Sequence, residues 1–386
     1  MTFASHARAA AGCALALATC ACHAPKQISD SGFGAYEVSL ATWDDGLALG
    51  WYDTRDGNAE IYVRMLDAEK HVKGGELRLT YTAAQSYEAD LATLRDDLAI
   101  AWYEKDASSA LSARLGLFER GGKSIWQRPL RGVNGKTRNP VVRAFDGALF
   151  CAWIETDDAG GEAVLGGWWN ADGTVRQGPT LLGPAGMATW NLNAAIGADG
   201  TAYVVYDRLL GSAPEEVFVA SLKEGVSKVV QLTPTDHFRS KYPDLALAGD
   251  RAALTWYDER DGNQEVYLAV GSVAELDGKI FEHAQRVTTT TGESIGAYLA
   301  WNGDRLGLAW SDNTVGNYEI YFEPFTADGH SAGPAQRLTS TKPQSLIPAI
   351  RPWRDGFAIA WSEVTFGDAG VHADDTRSEV LIDFVR

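Results

Sequence analysis

Large and small apolar residues alternate along short segments of this chain, and the segments recur. "LALGWYD" (47–53), "LAIAWYE" (98–104), "AALTWYD" (252–258), "LGLAWSD" (306–312) and "FAIAWSE" (357–363) follow one pattern. In the second copy Leu98, Ile100 and Trp102 fall on one face and Ala99 and Ala101 on the other. Period-two alternation predicts β-strands. Bulk on one face and alanine on the other predicts sheets that stack, one sheet's large side chains filling its neighbour's hollow.

The pattern has a long period. With the tryptophan as anchor, equivalent positions are Trp51, Trp102, Trp153, Val205, Trp256, Trp310 and Trp361. A spacing near 50 residues marks a propeller or solenoid array. Each unit has a strand beginning about 12 residues before its anchor ("SLAT", "DLAT", "VVRA"), preceded by a small or hydroxyl residue: Ala35, Ser86, Thr137, Thr189, Ser240, Ser294 and Ser345. The anchor strand, a Gly/Asn turn, a third strand ("EIYVRML", "EVYLAV") and a fourth ("ELRLT", "AQRLT") follow. Four strands in each of seven units predict an all-β, seven-bladed propeller. The last unit ends one strand short. "KQIS" (26–29) stands where "QRLT" stands in the preceding unit, so it is expected to close blade seven and leave few free sheet edges. The expected organisation is a lipoprotein signal peptide over 1–19, a short linker over 20–25 and a propeller over 26–386.

Composition narrows the setting. The net charge of −17 repels nucleic acid and anionic headgroups, which excludes nucleic acid as a partner. Three of four cysteines lie in the first 22 residues; Cys151, alone in the body within "LFCAWIE", reads as a buried thiol. Arg8 followed by a short core of small apolar residues is a secretory signal pattern, too short to span a bilayer. "LATC" (17–20) resembles a bacterial lipobox and places lipidation at Cys20, with Cys22 as the alternative. The expected location is the cell envelope, by preference the outer membrane, with the lipid as the only membrane contact. A closed ring predicts a monomer.

"RDGNAEIY" followed by "LT" resembles the repeat of TolB-type envelope propellers, and the "W-x-D" anchors resemble sialidase-like and WD-type propellers. The resemblance spans nearly the whole body of the chain. It implies the architecture and an envelope location, and it carries over no catalytic residue.

The candidate chemistry is acidic. A carboxylate stands two residues after every anchor: Asp53, Glu104, Glu155, Asp207, Asp258, Asp312 and Glu363. One reading is structural, with each acid fixing a turn by accepting backbone N–H bonds. The other is divalent cation binding: Asp53 with Glu60, Asp258 with Glu265 and Asp312 with Glu319 frame Gly/Asn turns, and calcium is the ion such oxygen-rich loops select. Arg55 and Arg260 sit between two of these pairs and compete as ion partners. "GESIG" (292–296) matches a nucleophile elbow, but Ser294 occupies a repeat position and a strand follows it. Departures from symmetry mark recognition. The blade-seven loop holds Asp368, His372, Asp374, Asp375 and Arg377; Arg208 in the deviant blade four and His237 in an inter-blade loop complete the candidate binding set.

The expectation is a lipid-anchored platform that binds an envelope protein or glycan, without enzymatic activity or cofactor. The alternatives are a glycan hydrolase or lyase using carboxylates at the channel mouth, and a calcium-stabilised structural propeller. An enzyme would gather a close carboxylate pair in one sector of the mouth, with shifted proton affinities.

Overall fold

A computed structural model describes residues 24–132, 135–183, 188–366 and 376–386. The signal segment, Cys20 and Asp368, His372, Asp374 and Asp375 lie outside the described residues. Seven four-stranded antiparallel sheets form a closed propeller. Blade one runs outward through Ala35–Trp43, Gly46–Asp53, Glu60–Asp67 and Val72–Arg78, and the later blades repeat that order. The fourth strand shrinks to Gln285–Arg286 in blade five and Gln336–Arg337 in blade six, and two 3-10 turns, Val273–Asp277 and Lys279–His283, precede the former.

The large-into-small packing predicted from the alternation holds the blades together. Leu98, Ile100 and Trp102 of blade two pack with Ala41 and Ala48 of blade one. On the other face, Ala99 and Ala101 receive Leu149, Cys151 and Trp153 of blade three. The anchors Trp51, Trp102, Trp153, Trp256 and Trp361 are fully buried, so their role is packing between blades. Cys151 is buried with them, and desolvation holds its thiol well above its usual pKa.

The N-terminal segment closes the ring. Lys26 and Gln27 pair with Ile382 and Leu381, and Ile28 is fully buried. Ser29 then supplies the hydroxyl that blades one, four, five and six take from Thr80, Thr233, Thr288 and Thr339. In blade one the Ile61 N–H donates to Thr80 Oγ1 (2.9 Å), and that hydroxyl donates to Glu60. In blade seven the Val380 N–H donates to Ser29 Oγ (2.8 Å), whose hydroxyl donates to Glu379. Ser31 Oγ donates to Asp53 (2.8 Å) and ties the closing segment to blade one.

Each first strand carries an extra residue opposite its anchor. In blade one Tyr36 pairs with Tyr52 and Ser39 with Gly50, leaving two residues, Glu37 and Val38, opposite Trp51. The same register shift occurs in all seven blades, though in blade four it lies opposite Asp207 rather than the anchor Val205. It is a β-bulge, and at its centre the backbone turns left-handed: Glu37, Glu88, Asn139, Tyr242, Gly296 and Ile347 have φ between 46° and 58°.

Deleting residues 24–31 should destabilise the protein by at least about 3 kcal/mol, because removing one buried isoleucine side chain alone costs about 2–5 kcal/mol. Calorimetric melting checks this; an unchanged melt would contradict ring closure by this segment.

Candidate functional site

The bulge decides what faces the channel. Its left-handed residue sits at the mouth: Glu37, Glu88, Asn139, Tyr242, Gly296 and Ile347, with Asn191 at the corresponding place in blade four. All except Gly296 line a cavity of about 330 Å³ at the channel axis. Deeper residues complete it, among them Asp90, Arg143, Asp244, Tyr298 and Arg351. Asp90 accepts from the Val142 N–H (2.8 Å) and from Arg143 (2.6 Å), and Asp244 from the Leu299 N–H (2.9 Å). The charged floor is therefore knitted to the blades.

The mouth is asymmetric. Glu37 and Glu88 stand on adjacent blades and act on each other electrostatically. Burial first, and the Glu88 charge second, hold the Glu37 carboxyl well above the usual range. Burial also pushes Glu88 up to about 7, against the opposing pull of the Arg138 cation and a hydrogen bond from Tyr103. Two close carboxyls in a low-dielectric mouth cannot readily both ionise.

Their surroundings differ. Glu88 accepts from the Asn139 amide and, at 3.5 Å, from the Tyr103 hydroxyl. Asn139 is held by Arg138, which is fixed in turn by Glu162 (2.8 Å) and the Thr189 carbonyl (2.9 Å). Glu37 Oε2 is enclosed and has no hydrogen-bond partner among the described residues. Donors stabilise the ionised form and their lack favours the protonated one. Glu88 is thus placed to be the carboxylate of the pair and Glu37 the acid.

Tyrosines surround the pair. Tyr36 and Tyr52 stack at 5.3 Å between ring centres, Tyr52 meets Tyr87 edge-on at 5.1 Å, and Tyr87 lies 5.6 Å from Tyr103. All four are half-buried. Burial and the neighbouring carboxyls raise the pKa of the Tyr52 and Tyr103 hydroxyls, so both stay protonated as donors.

The residues singled out from the sequence lie elsewhere. None of the seven anchor acids lines the channel cavity. Asp53 accepts from the Trp51 indole (3.1 Å) and Arg55 (2.6 Å), and Asp258 from Trp256 (3.1 Å), Ser240 (2.9 Å) and Arg260 (2.5 Å). Ser294, the elbow serine, is fully buried and donates to Asp312 at 2.6 Å. Glu60, Glu265 and Glu319 accept from Arg78 (2.8 Å), Arg286 (2.9 Å) and Arg337 (2.9 Å). Among the described residues no group of three or more His, Cys, Asp or Glu side chains is arranged to hold a metal ion. Arg208 is buried beside Tyr206, His237 is exposed, and Arg377 lies 5.6 Å from the ring of Phe33.

The mouth residues went unnoticed because "AYEVS" and "SYEAD" read as ordinary exposed strand positions. The usable signal is the column itself: Glu, Glu, Asn, Asn, Tyr, Gly, Ile in an otherwise regular repeat, with proline following at Pro140, Pro243 and Pro348.

No protein-family model matches the chain, and no curated protein resembles it in sequence. Solved structures share its fold. An α-L-arabinanase of Penicillium chrysogenum complexed with arabinobiose is 12% identical with a TM-score of 0.54, covering 77% of this chain and 92% of that one. The polysaccharide lyase Uly1 is 9% identical with a TM-score of 0.58, covering 90% and 89%. The β-propeller domain of the Trilobed protease from Pyrococcus furiosus is 8% identical with a TM-score of 0.54, covering 92% and 95%. At these identities the likeness shows the propeller fold. The expectation of a platform without enzymatic chemistry is corrected here. The propellers sharing this fold include glycan-processing enzymes, and one sector of the mouth holds the coupled carboxyl pair by which an enzyme was to be told from a scaffold.

The raised carboxyls make stability depend on pH in a defined direction. A carboxyl whose folded pKa lies above its unfolded value contributes most below the unfolded value, near pH 4.5, and that contribution is lost as pH rises through about 7 for Glu88. Melting temperature should therefore fall between about pH 4.5 and 7 more steeply in the wild type than in the Glu37→Gln/Glu88→Gln protein, which should melt higher above pH 7. Parallel melting profiles for the two proteins would contradict the assignment.

Proposed function

We propose that this propeller cleaves a glycosidic linkage in a glycan bound at the channel mouth. The observation that carries the reading is the Glu37–Glu88 pair: two interacting carboxyls of raised pKa on adjacent blades in one sector of the mouth. The fold-sharing arabinanase and polysaccharide lyase support the substrate class.

The roles follow from the environments. Glu37, enclosed and without a donor, keeps its proton and delivers it to the departing glycosidic oxygen. Glu88, held by Asn139 and Tyr103, acts as the carboxylate on the other side of the bond, either activating water or attacking the sugar. Tyr242, exposed and lining the cavity, offers its ring to the apolar C–H face of a sugar unit. The lipobox-like "LATC" supports an envelope setting, with the protein tethered through Cys20 and an envelope glycan as substrate.

The test is cleavage of a panel of envelope and plant polysaccharides by the purified protein, followed as new reducing ends. Glu37→Gln and Glu88→Gln should each lower kcat/KM by about 10²- to 10⁴-fold while the fold is retained. The wild-type profile should rise through about pH 7 as Glu88 ionises and fall where Glu37 loses its proton. Full activity in both variants would refute the reading.

A further inference from the structure

One mouth residue is held where its side-chain type is least tolerated. Ile347 has φ 53°, in the left-handed region that β-branched residues avoid most strongly. Pro348 follows it, and a following proline biases the preceding backbone toward extended conformations. Blade six shows the relaxed solution at the same place, Gly296 with φ 58°. The bulge geometry alone therefore asks for glycine. Ile347 does not fill the core either, for it is 42% exposed and lines the cavity. Its backbone N–H is already fixed by Ser311 Oγ (3.2 Å), which holds the conformation whatever the side chain. A strained, exposed, apolar side chain beside a polar site fits a ligand that covers it.

We propose that Ile347 is a specificity-determining residue: its branched side chain forms the apolar contact for a methyl group on the bound sugar. The proposal rests on the glycan reading above and names its substrate class, a methyl-bearing sugar. The methyl can belong to an N-acetyl group or to a 6-deoxy carbon; both present the same chemistry to Ile347. In the wild type the methyl displaces water from Ile347. A sugar with a hydroxyl or amine in its place leaves Ile347 wet.

The experiment pairs melting with selectivity in Ile347→Gly and Ile347→Val. The probes are N-acetylglucosamine oligomers against their de-N-acetylated counterparts, and L-fucosides against L-galactosides. Cleavage is read as kcat/KM ratios, and binding is read calorimetrically on the Glu37→Gln background. The wild type should prefer one methylated member by roughly 10-fold or more. Ile347→Gly should melt higher, through release of strain, and lose that preference; Ile347→Val should keep part of it. The N-acetyl and 6-deoxy arms identify the source of the methyl. A higher melt with selectivity unchanged would overturn the proposal, as would a wild type indifferent to the methyl in both arms. Methyl-selective binding without cleavage would overturn the catalytic reading and support this one; cleavage without methyl selectivity would do the reverse. A wild type that neither binds nor cleaves any probe would overturn both.

Discussion

The extra residue opposite each anchor tryptophan is the constraint on which the site depends. The anchors are locked between blades, their indoles buried against a neighbour's alanines. In blade one the first strand meets that side chain with two residues against one, as a left-handed bulge at Glu37. In every blade but the sixth, where the position is Gly296, that place in the first strand puts a side chain into the channel mouth. The scaffold thereby separates two tasks. The repeated residues build the ring, and one position in each blade differs from its neighbours.

What occupies that position sets the character of the mouth. Non-glycine residues there hold a conformation costing about 1–3 kcal/mol each. Blades one and two place carboxyls side by side, a further destabilising choice that burial makes worse. Blades three and four place amides, and Asn139 reaches back to orient Glu88. Strain, like charge and desolvation thus accumulate in one small region. Asp53 with Arg55 and Glu60 with Arg78 show the contrast: those acids are buried too, but each has its cation.

The fold was legible in the sequence because its determinants are large and periodic. A tryptophan every 51 or so residues, alanines in alternation and a hydroxyl at a fixed offset all report packing, and packing repeats. The missing fourth strand could be found at the other end of the chain because the segment over 26–29 keeps the unit's register. The mouth was not legible for the opposite reason. A bulge reverses the facing of every side chain beyond it, so strict alternation places Glu37 and Glu88 with the solvent-facing residues. The anchor acids drew attention because they recur, yet recurrence in all seven blades is the mark of a structural clamp, and Asp258 and Asp312 are bonded in that way. The blade-seven loop drew attention by its length, and four of its five named residues lie outside the described structure.

The central claim is that Glu37 and Glu88 titrate as a coupled pair with raised proton affinity. The direct measurement is carbon-13 NMR of glutamate side-chain carboxyls across pH, assigned with the two single Glu→Gln variants. The account predicts that both resonances titrate above the ordinary carboxylate range, Glu88 with a midpoint near pH 7, and that the Glu37 midpoint falls when Glu88 is replaced. Two independent midpoints in the ordinary carboxylate range, unaffected by the partner's replacement, would contradict it.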